Sequence, residues 1–578
     1  MQAVDLHLSY CGVSILEGVS FTLQKGEKCA LIGRNGSGKS TLFKLLLGSE
    51  KADKGVVSLP KGYRIGHLQQ HIHFTKSTLL EETCLGLKEE EKDATYKAEK
   101  MLLGLGFSQD QYELAPESFS GGYQLRIQLA KVLLSDPDCL LLDEPTNYLD
   151  ILSVRFLSKF LKQWPGEMIL ISHDLEFLDE TTTHMMSIHR KKAQKIKGKS
   201  SDLFSLIAQE EELYEKTRMN LEKKKAHLEA FVERFGAKAS KATQAQSKQK
   251  ALDKIPSLEK LKNIYNLEFS FKEEPFMGKK MLQANTVSFS YDKVRQIVRD
   301  FSLAVEKRDR IAIIGKNGYG KSTLLKLLAQ ESSPDQGSVD VSAAVRLGYF
   351  GQTNIDKLDR TLTIEEEVSR ANPKLNFTEV RGICGLMMFG GDLAKKQISV
   401  LSGGEKSRVL LGKIIAKPCN LLFLDEPTHH LDIESIEALI DAIEEFDGSC
   451  VVVTHSEWML KRIPFTKLIV CHKDKQEIFD GSYEEFLEKL GWQEEKDVKK
   501  EEKKSFERPK NSSVKSQIKK CEDKIVLLEE RIDLNNNRLA EMSPLQSKEI
   551  KEILAAIEKD QDDLNECYNL LSDLYQKI

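Results

Sequence analysis

The spacing of apolar positions changes several times along this chain, and each change marks an element. SFTLQKGEKCALIG (20–33) and FSLAVEKRDRIAIIG (301–315) are strand-like texts whose apolar ends run straight into glycine-rich loops. TLFKLLLG and TLLKLLAQ follow with helical spacing. Later, PDCLLLDEPT and PCNLLFLDEPT are short apolar runs that end in acid. They read as buried parallel strands whose carboxyl ends present Asp and Glu to a ligand. Between these regions, LFSLIAQEEELYEKTRMNLEKKKAHLEAFVERF (203–235) has helical spacing and no Pro or Gly. Small residues interrupt it at FGAKASKATQAQSK, and QKALDKI resumes, which predicts a helical hairpin.

The chain also repeats itself. GRNGSGKST returns as GKNGYGKST, FSGG as LSGG, and LLLDEPTNYLD as LLFLDEPTHHLD. Gly33 to Gly315, Gly121 to Gly403, Asp143 to Asp425 and His173 to His455 share one offset of 282 residues. One offset for several motifs means a duplicated domain. The expected organisation is a first copy over 1–187, a charged helical linker over 188–265, and a second copy over 266–490. A charged flexible linker over 491–512 and a coiled-coil hairpin over 513–578 complete it. The hairpin rests on two heptads. One runs Ile518, Cys521, Ile525, Leu528, Ile532, Asn535, Leu539, Met542, and the other from Ile550 to Tyr575, with Ser543-Pro544 breaking the helix between them.

Composition narrows the class. Forty per cent apolar and 30% charged residues in a chain of 578 support packed cores, so disorder throughout is excluded. The net charge of −4 excludes a wholly basic nucleic-acid coat. Local charge differs: residues 190–262 hold 19 Lys/Arg against 10 Asp/Glu, about +9. No run approaches the ~18 apolar residues of a membrane helix. No signal peptide is read at the start, and ten Cys without a CxxC pair read as reduced thiols, so a cytoplasmic, membrane-free protein is expected.

The motifs carry phosphate chemistry. A GxxxxGKS loop between strand and helix cradles phosphates with backbone N–H groups. Gly33, Asn35, Gly36, Gly38 and Thr41 form one such loop with Lys39 and Ser40; Gly315, Asn317, Gly318, Gly320 and Thr323 form the other with Lys321 and Ser322. Lys39 and Lys321 would reach the β/γ-phosphates, and Ser40 and Ser322 would bind Mg²⁺. Asp143 and Asp425, at strand ends, suit a second Mg²⁺ contact. Glu144 and Glu426 could polarise an attacking water as general bases, or serve as structural carboxylates at a strand end.

SGG before an acidic strand ending in DEPT, with a P-loop upstream and a His downstream, resembles the ATP-binding-cassette ATPases. DEPTNYLD and DEPTHHLD flanking a charged helical linker resemble the ABC-F family of ribosome-associated ATPases, up to about Trp492. FVERFGAKASKATQAQSKQKALDKI is very like that family's interdomain linker, and GLGFSQDQYELAPESFSGG looks closest to a bacterial housekeeping subgroup with a C-terminal coiled coil. The resemblance implies an α/β fold of two tandem P-loop domains, joined by a helical hairpin and closing head to tail around two ATPs. Gly33–Thr41 would then face Ser402, Gly403 and Gly404, and Gly315–Thr323 would face Ser120, Gly121 and Gly122. By the same resemblance Tyr10 and Tyr291 would stack on adenine. Gln70 and Gln352 would contact Mg²⁺ or water, with Gln69 competing for the first place. His173 and His455 would sense the γ-phosphate.

The copies differ in detail. Tyr123 and Glu405 follow the two SGG texts; Tyr148 stands opposite His430, and Asp174 opposite Ser456. Unequal turnover at the two sites is expected from this. The basic linker, with Arg234, Lys238, Lys241 and Lys248 near its tip, suggests contact with rRNA or tRNA phosphates. The function implied is a soluble, monomeric ATPase that binds the ribosome when ATP closes its paired cassettes and leaves on hydrolysis. Action on DNA structures and service to a separate permease are the rivals, and the C-terminal hairpin could itself touch DNA or RNA.

Overall fold

A computed structural model describes the chain apart from residues 11, 35, 69–72, 148, 236–269, 292–295, 352–356, 429–430 and 474, and 493–523, 526–527, 529–530, 533, 536–554, 558, 562 and 565–578. Side chains at 224 and 227–235 are also outside the description. The chain divides into Met1–Glu485 and Phe486–Ile578.

Within the first unit the two copies repeat one architecture. Each has a six-stranded core sheet and a three-stranded antiparallel sheet. The first core sheet runs, in spatial order, Ile65–His67, Cys139–Asp143, Glu167–Ile171, Lys28–Ile32, His184–His189 and Lys192–Lys197. Its first five strands are parallel and the last is antiparallel. The second core sheet has the same order, with Arg310–Gly315 in the place of Lys28–Ile32. Leu421–Asp425 is buried throughout and Cys139–Asp143 up to its exposed last residue, as their unbroken apolar text predicts. Because the central strands run parallel, their carboxyl ends lie at one edge, and the glycine-rich loops, the Asp-Glu pairs and the downstream His residues gather there.

The first sheet continues past the expected boundary at residue 187. His184–His189 and Lys192–Lys197 form an antiparallel hairpin at its edge, and the long helix Ser200–Phe235 begins only after it. This helix is tied to the copy it leaves. The Arg190 guanidinium lies 3.8 Å from the Tyr214 ring centre, and Ser200 donates from N and Oγ to Asp179, both at 2.8 Å. The expected return helix and tip of the linker fall in 236–269, outside the described residues.

In the second unit, Leu564 packs on Ile525 and Leu528, and Arg531 meets Asp560 at 3.0 Å. One number rises while the other falls, which is the register of antiparallel helices. Most of the two expected heptads lies outside the described residues.

The three-stranded sheets explain a repeated glycine. Gly55 and Gly337 sit opposite bulges, with φ of 88° and 85°. A Cβ on Gly55 would meet the Asp5 carbonyl oxygen at 2.3 Å, and one on Gly337 the Asn285 carbonyl oxygen at the same distance. Both clashes are with backbone, so nothing can swing away. Gly55→Ala and Gly337→Ala should each destabilise their own copy by about 3 kcal/mol, from overpacking and a left-handed backbone. Calorimetry of the full chain should show the transition of the substituted copy falling by several degrees. Unchanged melting would mean that these bulges relax freely.

Candidate functional site

Each glycine-rich loop is shaped for close approach. Gly38 and Gly320 cap the helices Lys39–Leu46 and Lys321–Leu328 in left-handed conformation, φ 99° and 85°. A Cβ there would meet Ile15 Cγ2 at 2.8 Å and Ile297 Cγ2 at 2.5 Å. Only glycine lets the loop turn so tightly onto a helix N-terminus, where free N–H groups and the helix dipole favour an anion. The Lys39 ammonium donates to the Gly33 and Arg34 carbonyls at 2.5 and 3.1 Å. Lys321 donates to the Lys316 carbonyl at 2.9 Å and to Asn317 Oδ1 at 3.2 Å. Burial lowers the pKa of both, and the neighbouring Glu144 or Glu426 opposes the fall. Each lysine is thus curled into its own loop, aimed where phosphate would sit.

The acidic strands supply the other wall. Ser40 Oγ donates to Asp143 Oδ2, and Ser322 Oγ to Asp425 Oδ1, each at 3.0 Å. A hydroxyl and a carboxylate held this close are hard oxygen ligands of the kind Mg²⁺ takes, with phosphate oxygens completing its shell. The residues therefore fit the metal expected from the sequence.

Glu144 and Glu426 follow directly, both at φ 48°, a left-handed conformation unusual for Glu. Their amides still bond back to the sheet, to the carbonyls of Ile171 and Val453, both at 2.9 Å. The turn aims each carboxylate at a histidine. His173 Nε2 lies 3.3 Å from Glu144 Oε1, and His455 Nε2 lies 3.2 Å from Glu426 Oε1. Burial and the adjacent Asp143 push the Glu144 carboxyl up to about 8. Burial, helped by Lys39, pulls His173 down to about 4. At neutral pH the pair is a largely protonated acid beside a neutral imidazole. Burial raises Glu426 as well, against the pull of Lys321.

The two copies meet at these edges. One cavity of about 490 Å³ is lined by Ser120, Gly122 and Tyr123 of the first copy and by Asn317, Lys321, Thr323 and His455 of the second. Another, of about 520 Å³, joins Gly36, Glu144 and His173 of the first to Ser402, Gly404 and Arg408 of the second. Tyr291 lines the first cavity, and its hydroxyl lies 3.3 Å from Thr323 Oγ1. Tyr10, half-exposed, binds Glu50 through its hydroxyl.

The two SGG texts open their helices differently. Ser402 forms a reciprocal cap with Glu405, whose carboxylate accepts from Ser402 N at 2.8 Å. Tyr123 cannot do this. It packs instead on Phe107 and Phe119, under the buried Arg126 guanidinium at 4.4 Å. Asn35, Gln69, Gln70, Gln352, Lys238, Lys241 and Lys248, and the Arg234 side chain, lie outside the described residues.

Sequence reasoning missed several residues at these edges. Asp150 caps the helix Ile151–Gln163, pairs with Arg126 at 3.6 Å and accepts from Asn317 N of the other copy at 3.4 Å. Arg126 and Asp150 recur as Arg408 and Asp432 at the same 282 offset, a signal that was available. Arg34 reaches Glu434 across the boundary at 2.7 Å, and no spacing within one copy could reveal that.

Comparison with known proteins agrees with this geometry. The ABC transporter family model matches residues 16–147 and 298–429, and a second model with the same description matches 186–271. The probable ATP-binding protein YheS of Escherichia coli K12 is 34% identical over 540 residues, covering 88% of this chain and 83% of that protein. ATP-binding cassette sub-family F member 3 of Rattus norvegicus is 32% identical over 510 residues, covering 82% and 71%. Among solved structures, the archaeal ribosome recycling factor aABCE1, in complex with the stalk protein aP1, aligns with a TM-score of 0.59 at 20% identity, over 84% of this chain and 92% of that one. That last likeness is one of fold. Identity at the level of YheS, along most of both chains, goes further: the chain belongs to the ABC-F family of ATP-binding-cassette ATPases.

Proposed function

We propose that this chain is an ATP-driven factor that binds the ribosome with its cassettes closed and leaves when they open. The observation that carries the reading is the cavity bounded by Ser120 and Gly122 of one copy and Lys321 and Thr323 of the other. A ligand there touches both cassettes, so its affinity depends on whether they are closed. The ribosome enters as the partner because the family resemblance implies it, and because the aABCE1 relative is described as a ribosome recycling factor. Among the described residues, no helix is long and apolar enough to cross a membrane, which leaves a transporter role needing a separate permease.

In this reading each cassette pair holds two ATPs. Lys39 and Lys321 would bind the β- and γ-phosphates, and Ser40 with Asp143, and Ser322 with Asp425, would hold Mg²⁺. The metal would neutralise phosphate charge during transfer. By the family resemblance, Tyr10 and Tyr291 would stack on adenine, and Gln70 and Gln352 would contact the metal or the water. Glu144 or Glu426 takes a proton from the water that attacks the γ-phosphorus. The bond to the ADP oxygen breaks, and inorganic phosphate leaves. His173 and His455 orient the glutamates and meet the γ-phosphate. The SGG residues of the opposite cassette bind the same phosphate, and its loss removes the link between the copies. To shift the pair from mostly open to mostly closed, ATP must favour the closed state by about 5.5 kcal/mol.

Glu144→Gln/Glu426→Gln should cut ATP hydrolysis at least about a hundredfold while keeping ATP binding. Sedimented with purified ribosomes, this variant should pellet with ATP and stay in the supernatant without it. ATP binding without cosedimentation would sink the ribosome reading and turn attention to DNA structures or a permease.

Hydrolysis should also follow Glu144 ionisation. A base works only when ionised, and a carboxyl raised to about 8 gains its proton as pH falls below that value. In Glu426→Gln, with excess Mg²⁺, kcat/KM should rise about tenfold from pH 6 to 7 and level off above pH 8. A flat profile would remove Glu144 from the role of base.

The linker tip should add salt-sensitive affinity. Reversing charge at Arg234, Lys238, Lys241 and Lys248 should lower the slope of log affinity against log salt by about 3 if all four meet phosphates. Titration of ribosome binding at several salt concentrations measures it, and an unchanged slope would clear the tip of RNA contact.

A further inference from the structure

The copies share one fold, so each cassette could pair with a second copy of itself in another chain. The contacts between them are not shared evenly, however. Arg155 of the first cassette meets Glu457 of the second, and Lys461 of the second meets Glu176 of the first. Lys461 is also 3.8 Å from Glu457, which joins the four side chains into one cluster of alternating sign. Arg155, Glu457 and Glu176 are part-buried, so their charges are screened less than at an open surface, whereas Lys461 is exposed. Beside them Ser456 Oγ donates to Asp174 Oδ2 at 3.4 Å.

The 282 offset shows what the symmetric contacts would be. Position 155 corresponds to Glu437, and position 457 to Leu175. Position 461 corresponds to Asp179, and position 176 to Trp458. The cluster therefore occurs once, on one side of the pseudo-twofold axis. On the other side the corresponding positions pair Leu175 with Glu437 and Trp458 with Asp179, with no opposite charges, and Trp458 and Ile433 of the second cassette pack on the core of the first. Asp174 and Ser456 correspond to each other, so they straddle the axis.

We infer that this cluster selects the partner, so that the first cassette closes on the second and not on its own kind. Two first cassettes paired in this geometry would set Glu176 against Asp179 twice and Asp174 against Asp174. Asp174 already stands in a buried, acidic place, where burial and then Glu176 and Glu457 push its carboxyl up to about 6. Two second cassettes would keep two meetings of Lys316 with Glu434 but set Glu437 against Glu457 twice. Like charges facing each other across the contact act against the wrong partner, while the alternating cluster favours the right one.

The inference rests on the paired-cassette reading, and the experiment separates the two. The parent is the full chain carrying Glu144→Gln/Glu426→Gln, and ATP-dependent compaction is followed by small-angle scattering. One variant inverts the first cassette's charges (Arg155→Glu/Glu176→Lys). A second inverts those of the second cassette (Glu457→Lys/Lys461→Glu). A third carries all four changes and so regains every attraction with the signs exchanged. Each half-inverted chain should need about tenfold more ATP to compact, and the fully inverted chain should return to within about threefold of the parent. Because the third variant contains the substitutions of both others, its recovery also shows that neither half failed to fold. Half-inverted chains that compact like the parent, or a full inversion no better than its halves, would overturn the role of the cluster. A parent that never compacts with ATP would instead overturn the paired-cassette reading, and this inference with it.

Discussion

Two neighbouring carboxylates at the end of a buried strand are the constraint around which the site is arranged. Asp425 and Glu426 leave water together at the sheet edge, and Glu144 does so beside a more exposed Asp143. Neither can remain charged there without help. Ser40 and Ser322 give each Asp a hydrogen bond, and the P-loop lysines supply positive charge. The glutamates are turned away by a left-handed residue and placed against a histidine. Burial and the neighbouring Asp then raise the Glu, which suits a group that must take up a proton. The backbone strain at Glu144 and Glu426 is the local cost of pointing adjacent carboxylates at different tasks.

That constraint leaves each copy incomplete. Each cavity has P-loop, Glu or His residues of one copy on one wall and SGG residues of the other copy on the opposite wall. The two cavities are not twins. Glu405 puts a carboxylate at the mouth of one, whereas Tyr123 closes the corresponding helix start of the other with an aromatic cluster. Different groups at otherwise matched positions give each cavity its own electrostatics.

The sequence made the local chemistry legible because P-loop, acidic strand and histidine each depend on short-range spacing. The unbroken apolar run of LLLDEPT could only be a doubly buried strand, and LLFLDEPT likewise. The hairpin His184–Lys197 was harder to see. KAQKIK is an edge strand whose interior residues are only half-buried, so its lysines read as the beginning of a charged linker and moved the expected boundary too early. Arg126 escaped for a related reason. A charged residue on an amphipathic helix reads as surface, and only the fold shows it buried, with the Leu105 carbonyl and Asp150 as partners. Contacts between copies carry no periodic signature at all, and Arg34 with Glu434 illustrates this at a separation of 400 residues.

Asn317 shows how the second site can sense the first copy directly. Its amide N–H donates to Asp150 of the other cassette, while its side-chain oxygen receives the Lys321 ammonium and lies 2.9 Å from His455 Nε2. An acceptor oxygen at that distance requires the proton on Nε2, and the same proton faces Glu426 Oε1 at 3.2 Å. The tautomer of His455 is thus fixed by a residue whose own position depends on the opposite cassette. If Asp150 withdraws, the Asn317 backbone N–H loses that acceptor, next to the side-chain oxygen that orders both the lysine and the histidine. Asp150 of the first cassette and the Lys321–His455 pair of the second are therefore joined through one residue, by its backbone N–H on one side and its side-chain oxygen on the other.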